Sequence, residues 1–399
     1  MKNYKKFSFY LIIFIIFFIL FEIVFNLLNI RPSNSNYGWL NTHQYYNYII
    51  KDITKNKFGT RDTFDKDPDK ENIILLGDSQ VETAQKENNM PARILEEHLN
   101  NKYNVYSFGS WGWGTDQQLL MLEKNIEKIK PKFVIVFFTP NDLTDNYHNI
   151  GFFGEKPTFK LNDKNELITP KFENYKKLLN NFWTYRVLFR LKLFYQNRNL
   201  ENFLVEDYFQ KRNDCNFDQK ISIKNLIEER INYNWYLNKY IEVYSNNPNQ
   251  SSDEARIKKS YYRFFDKRNN YELETDREYD YFRDHRTNLE NKKINLTNSL
   301  LKKIQKVSNQ NKSKMFLINV INYNYLFEEE KDYKICINNK EIIYSNENYF
   351  KTFNDTFNGI NNIINFEIYR GTIDYDIYDA HLNFEMNNKL FKRVSNYIN

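Results

Sequence analysis

Ile73-Ile74-Leu75-Leu76-Gly77-Asp78-Ser79 is a short apolar run that stops at a Gly-Asp-Ser turn. Four consecutive aliphatic residues read as a short buried strand of a parallel sheet. Such a strand delivers Ser79 to the carboxyl edge of the sheet, where open α/β folds place their chemistry. Residues 103–107, 133–138 and 315–321 have the same character and read as further buried strands. Between the first three strands, residues 91–100 (opened by Pro91) and 117–130 (leucines at helical spacing) predict helices. Residues 288–306 predict a helix leading into the fourth strand, and residues 385–397 predict a helix near the end of the chain. Strands alternating with helices make this an α/β fold on a parallel sheet.

Residues 150–300 interrupt that rhythm. They are charged, rich in tyrosine and mostly helical in pattern, and Ser245-Asn246-Asn247-Pro248-Asn249-Gln250-Ser251-Ser252 breaks them. The expectation is a helical insertion between the third and fourth strands, serving as a lid, as one wall of a substrate site or as a partner surface. The organisation read from the chain is therefore a cytoplasmic tip and membrane helix over 1–30, and a stalk and lead-in over 31–70. A first half-domain follows over 71–149, then the insertion over 150–300, and a second half-domain over 301–399.

The N-terminal assignment rests on residues 7–30, almost continuously apolar and about as long as the ~20 residues a bilayer crossing needs. Lys2, Lys5 and Lys6 precede the run, so the positive-inside rule leaves the N-terminus in the cytoplasm and everything after Ile30 outside. A cleaved signal peptide fits less well, because the run is too long and no small-x-small site follows it. The expectation is a single-pass anchor with the remaining domain on the extracytoplasmic side. A formal charge of +6 spread over 399 residues, with scattered lysines, gives no support to a nucleic-acid partner. Cys215 and Cys336 are far apart and fit no metal-ligand spacing. A disulfide and two separate thiols both remain open for them.

A serine becomes a nucleophile at neutral pH when a base takes its proton and an acid orients the base. His381 is the strongest base among the five histidines, because Asp379 stands two residues before it in Asp379-Ala380-His381. Acyl transfer also needs donors for an oxyanion. The Ser79 N–H is one. A glycine of Phe108-Gly109-Ser110-Trp111-Gly112-Trp113-Gly114-Thr115, after the second strand, is a second, and the Asn141 amide in Thr139-Pro140-Asn141-Asp142 is a third. Each short pattern also has a plain structural reading. Gly-Asp-Ser serves as an ordinary helix cap, and Pro-Asn-Asp and the glycines serve as turns.

In this order the blocks resemble the SGNH (GDSL-like) hydrolase family, whose members run Ser, Gly, Asn, then Asp and His near the C-terminus. Ser79 stands in Gly77-Asp78-Ser79-Gln80, with Gln80 where GDSL has leucine. Asn141 matches the third block and Asp379-Ala380-His381-Leu382-Asn383 the last. The resemblance implies Gly112 as the oxyanion glycine, with Gly109 as the alternate. Many members space the last block Asp-x-x-His, so Asp379 has Asp376 as its reserve. Lys57-Phe58-Gly59-Thr60-Arg61-Asp62 looks like the lead-in of membrane-linked members. The resemblance covers roughly residues 71–145 and 310–399. It implies a flavodoxin-like, three-layer sandwich with helices on both faces of the sheet.

The implied function is a serine-dependent esterase or O-acyltransferase that works through a Ser79 acyl-enzyme and needs no metal or organic cofactor. By analogy with anchored members, the substrate is an ester, acetyl in particular, on a cell-envelope or extracellular glycan. Trp111 and Trp113 are candidates for stacking on sugar rings. A transferase requires an acyl donor, delivered by a separate membrane protein. The alternative is a non-catalytic SGNH-fold scaffold or glycan-binding module in the envelope.

Overall fold

The computed structural model describes residues 2–27, 60–61, 66–83, 87–110, 112–147, 150–151, 154–155, 158–170, 279–286, 288–323, 326, 333–337, 340–370, 372 and 381–399. The stalk, most of the insertion, Trp111, Cys215, Asp376 and Asp379 lie outside the described residues.

The chain begins with helix α1 (Lys2–Leu27). Then come β1 (Glu71–Gly77), α2 (Ser79–Glu82), α3 (Pro91–His98), β2 (Tyr103–Gly109), α4 (Thr115–Ile129), β3 (Phe133–Phe138) and α5 (Asp142–Asp145). Two small hairpins follow: β4 (Ile150–Gly151) with β5 (Gly154–Glu155), and β6 (Lys160–Leu161) with β7 (Leu167–Ile168). Helix α6 (Asn288–Gln310) leads into β8 (Lys314–Asn322). The hairpin of β9 (Tyr333–Ile337) and β10 (Lys340–Tyr344), α7 (Asn346–Thr356), β11 (Ile363–Ile368) and α8 (Phe384–Ile398) complete the chain.

Five strands form one sheet in the order β11-β8-β3-β1-β2, every pair parallel. The chain lays down β1, places β2 on one side of it, then crosses to lay β3 and the later strands on the other. The reversal makes the carboxyl ends of β1 and β3 a topological switch point, the place where doubly wound sheets bind ligands. Ser79 follows β1 and Asn141 follows β3, so both flank it.

Alternation along the central strands builds two cores. Ile74 and Leu76 face a layer holding Leu119 and Leu122 of α4, Leu300 and Ile304 of α6 and Phe353 of α7. Ile73 and Leu75 face Leu95 of α3 and Leu390 and Phe391 of α8. All four β1 side chains are fully buried, each worth about 1.5–3 kcal/mol of transfer free energy. The three layers are therefore those the resemblance implies.

Two expectations need correction. The described start of the insertion, residues 150–170, is hairpin rather than helix. Its turn is set by Asn162, whose Oδ1 accepts from the N–H groups of Lys164 and Glu166, and by Asn165 in the left-handed region at φ 59°. Asparagine tolerates that conformation and closes such turns, overriding the charged helical pattern. Helix α6 also runs through residue 300 and packs its apolar side into the first core, so the second half-domain begins at Asn288.

Among the described residues no helix is long and apolar enough to cross a membrane. In α1 the side chains are described over residues 9–24 and at Lys6. Most of its apolar side chains there are exposed, Phe14 by 68% and Phe17 by 69%.

Candidate active site

The turn after β1 is built around one buried residue, Val81. Gly77 and Gly109 end β1 and β2 and are partners in the sheet register, and Val81 of α2 packs over both. A Cβ on Gly109 would lie 2.6 Å from Val81 Cβ and 2.7 Å from the Asp78 carbonyl oxygen. Absence of side chains at this pair lets α2 sit directly on the end of the sheet. Gly109 is thus accounted for by close packing. Gly109→Ala is expected to cost about 1–3 kcal/mol of stability through overpacking. It should also lower acyl transfer by about 10²-fold by displacing the Ser79 turn. Chemical unfolding and serine labelling rate, measured on one preparation, check both numbers.

Asp78 caps α2. Its Oδ1 accepts from the Gln80 N–H at 2.8 Å, while Oδ2 accepts from the Thr139 hydroxyl at 2.8 Å and Asn141 Nδ2 at 3.3 Å. The plain capping role and the bridging role to β3 are served by the same carboxylate. Burial pushes its carboxyl above the ordinary carboxylate range, opposed by these donors and by the nearby His381 imidazole. His381, itself only 6% exposed, is brought to the Ser79 turn by its neighbour Leu382, whose N–H donates to Gln80 Oε1 at 3.1 Å. Arg61 closes the other end of α2. Its guanidinium is buried and donates to the carbonyls of Glu82 and Thr83, a cation where the helix carbonyls end. Of the lead-in read from Lys57 to Asp62, Arg61 is therefore a brace for the helix that begins with Ser79.

The oxyanion candidates divide into two kinds. Gly112 sits in the loop after β2 at φ 67°, a left-handed position that glycine adopts without strain. Among the described residues neither its N–H nor that of Ser79 has a hydrogen-bond partner. Asn141 is engaged: besides Asp78, its Nδ2 donates to Asp145 Oδ2 at 2.9 Å. Both amide hydrogens point at carboxylates, so a third oxyanion bond requires release of the longer one, to Asp78.

Trp113 is 1% exposed and part of the first core, which removes it as a sugar-stacking residue. A tryptophan beside glycines gives no local sign of which side it packs on. Among the described residues no group of three or more His, Cys, Asp or Glu side chains is placed to hold a metal ion.

Sequence reading passed over Asp142, which is fully buried behind the turn. Its Oδ2 accepts from the Thr115 hydroxyl at 3.2 Å, and its Oδ1 has no hydrogen-bond partner among the described residues. Burial raises its carboxyl well above the ordinary range, and Asp78 and Asp145 push the same way. A raised folded-state value means the folded protein holds a proton that the unfolded chain releases. Stability from that proton is full below the ordinary carboxylate value and is lost as pH rises through the raised one. Unfolding free energy should therefore fall with rising pH over that window, by at most about 1.4 kcal/mol per pH unit for this group. In Asp142→Asn the slope should shrink to what Asp78 and other groups leave. Denaturant unfolding from pH 4 to 8 checks it, and an unchanged slope would refute the assignment.

A parallel α/β sheet with a serine raised at its switch point and a buried histidine beside it describes an ester-bond enzyme. The model of the GDSL-like lipase/acylhydrolase family matches residues 73–286, more than half of the 399-residue chain, and the chain belongs to that family. It is a hydrolase or acyltransferase of ester bonds. The match takes in Ser79, Gly112 and Asn141 and ends before His381. Among curated proteins no relative matches the chain.

Proposed function

We propose that the protein is a membrane-anchored serine esterase or O-acyltransferase that removes or moves acetyl groups on a cell-envelope glycan. The observation that carries the catalytic part is His381 beside the Ser79 turn at the switch point. His381 accepts the proton of Ser79 as Oγ bonds to the ester carbonyl carbon. The carbonyl electrons move onto oxygen, held by the Ser79 and Gly112 N–H groups and by Asn141 once it turns from Asp78. Collapse breaks the bond to the alcohol oxygen, which leaves with the proton from His381. Water or an acceptor hydroxyl then repeats the sequence on the acyl-enzyme. Asp379, with Asp376 as reserve, orients His381 and stabilises its cation.

The anchor is supported by α1, whose exposed apolar side chains need an apolar surrounding. A catalytic domain tethered outside the cytoplasm meets esters of the envelope, and acting as a transferase it takes its acyl group from a separate membrane protein. The test uses full-length protein in detergent with an O-acetylated envelope polysaccharide, measuring free acetate and acetyl transfer to added deacetylated glycan. Release or transfer that requires Ser79 is expected. Cleavage of p-nitrophenyl acetate without either would refute the glycan assignment while leaving the esterase. Recovery of the protein in the soluble fraction of lysed cells would refute the anchor.

A further inference from the structure

The residue after the nucleophile departs from the family pattern, and in the fold it makes a contact that the usual leucine cannot make. The Oε1 atom of Gln80 accepts a hydrogen bond from the backbone N–H of Leu382 at 3.1 Å, across 302 residues of chain. One partner adjoins Ser79 and the other adjoins His381.

Both ends of this tie are themselves fixed. On the nucleophile side, the Gln80 N–H is bound to Asp78 Oδ1 at 2.8 Å. On the base side, the Leu382 carbonyl accepts from the Asn387 side chain at 2.8 Å, and Asn383 caps α8 through the Met386 N–H at 2.9 Å. Leu382 is buried in the second core. The segment that carries His381 is thus clamped to α8 on one side and to the Ser79 helix on the other.

We infer that Gln80 is a positioning residue that sets the separation of Ser79 and His381 through the Leu382 N–H, an inference that rests on the catalytic reading of those two residues. A neutral amide oxygen performs this role without adding a second carboxylate beside Asp78, the described carboxylate whose field meets His381. Leucine, which has no acceptor, leaves the separation to packing alone.

The test compares full-length wild type, Gln80→Leu and Gln80→Glu in detergent, using p-nitrophenyl acetate turnover and the rate of Ser79 labelling by a fluorophosphonate. Gln80→Leu is expected to lower kcat and the labelling rate by roughly 10–100-fold with KM changed less than about threefold, since misplacement of reacting groups is read in kcat. Gln80→Glu keeps an acceptor and should recover most of that rate. Its added negative charge favours the imidazolium, so the acidic limb of the pH–rate profile should move upward. A folded Gln80→Leu protein with wild-type kcat and labelling overturns the inference, as does equal impairment of the two variants. Should Gln80→Leu not fold, Gln80→Glu decides alone, and an unmoved acidic limb overturns it. Absence of Ser79 labelling in wild type instead overturns the catalytic reading, and this inference with it.

Discussion

Ser79→Ala is expected to remove p-nitrophenyl acetate turnover almost completely, lowering kcat by about 10⁶-fold where nucleophile and base act as one unit. The side chain at stake is small and half-buried, at the first position of α2, so stability should move by less than about 0.5 kcal/mol. That contrast is the diagnostic: an unchanged fold with lost chemistry. The wild-type protein should gain the mass of one acetyl group during turnover whenever deacylation is slow, and the alanine variant should not. Activity persisting within about tenfold of wild type would show that another group or a bound water performs the attack. The same result would shift support to the non-catalytic scaffold.

His381→Ala should cost nearly as much, because an unactivated serine hydroxyl is a poor nucleophile at neutral pH. The double replacement Ser79→Ala with His381→Ala should be no slower than the worse single variant, the signature of groups acting as a unit. Additive losses would mean that His381 contributes to the fold or to binding but not to the serine. Because His381 is buried and its loop is clamped at Leu382, His381→Gln, which fills more of the space, separates lost chemistry from a lost fold. Added imidazole should restore part of the activity of His381→Ala if the cavity it leaves admits a free base.

The residues legible beforehand are those whose role is local. Residues 73–76 announce a strand because every side chain there is aliphatic, and β3 occupies residues 133–138 as read. Pro91 opens α3 at its first position. The elements that escaped have mixed composition. In β11 the residues alternate Ile364, Asn365, Phe366, Glu367, Ile368, with the polar ones exposed, because an edge strand needs only one apolar face. Helix α7 carries a usable signal in Ser345, which caps it through the Asn348 N–H at 3.2 Å, but its body is rich in asparagine and aromatics, weak helix formers. It forms because Phe353 packs against Phe138 at the centre of the sheet.

At the site the division is the same. Gly-Asp-Ser and Pro-Asn-Asp marked the ends of β1 and β3, while Asp379 and Ala380 lie outside the described residues. What could not be read was where each side chain points. Trp113, set among glycines, is core. Asn141, an oxyanion donor by type, spends both hydrogens on Asp78 and Asp145. Asp142, a turn residue by composition, is a buried acid.

By itself, then, the sequence determined the class of fold, the order of the chemical blocks and the residue types available for acyl transfer. Those properties follow from short-range physics: apolar runs, proline and glycine at element ends, and caps within a few residues. The tertiary structure alone decided that Gly77 lies opposite Gly109 to admit Val81, and that Asp142 is fully buried. It also joined Gln80 to Leu382 over 302 residues. Each depends on which strands become neighbours and on what is buried between them, and those long-range choices are made only when distant segments pack.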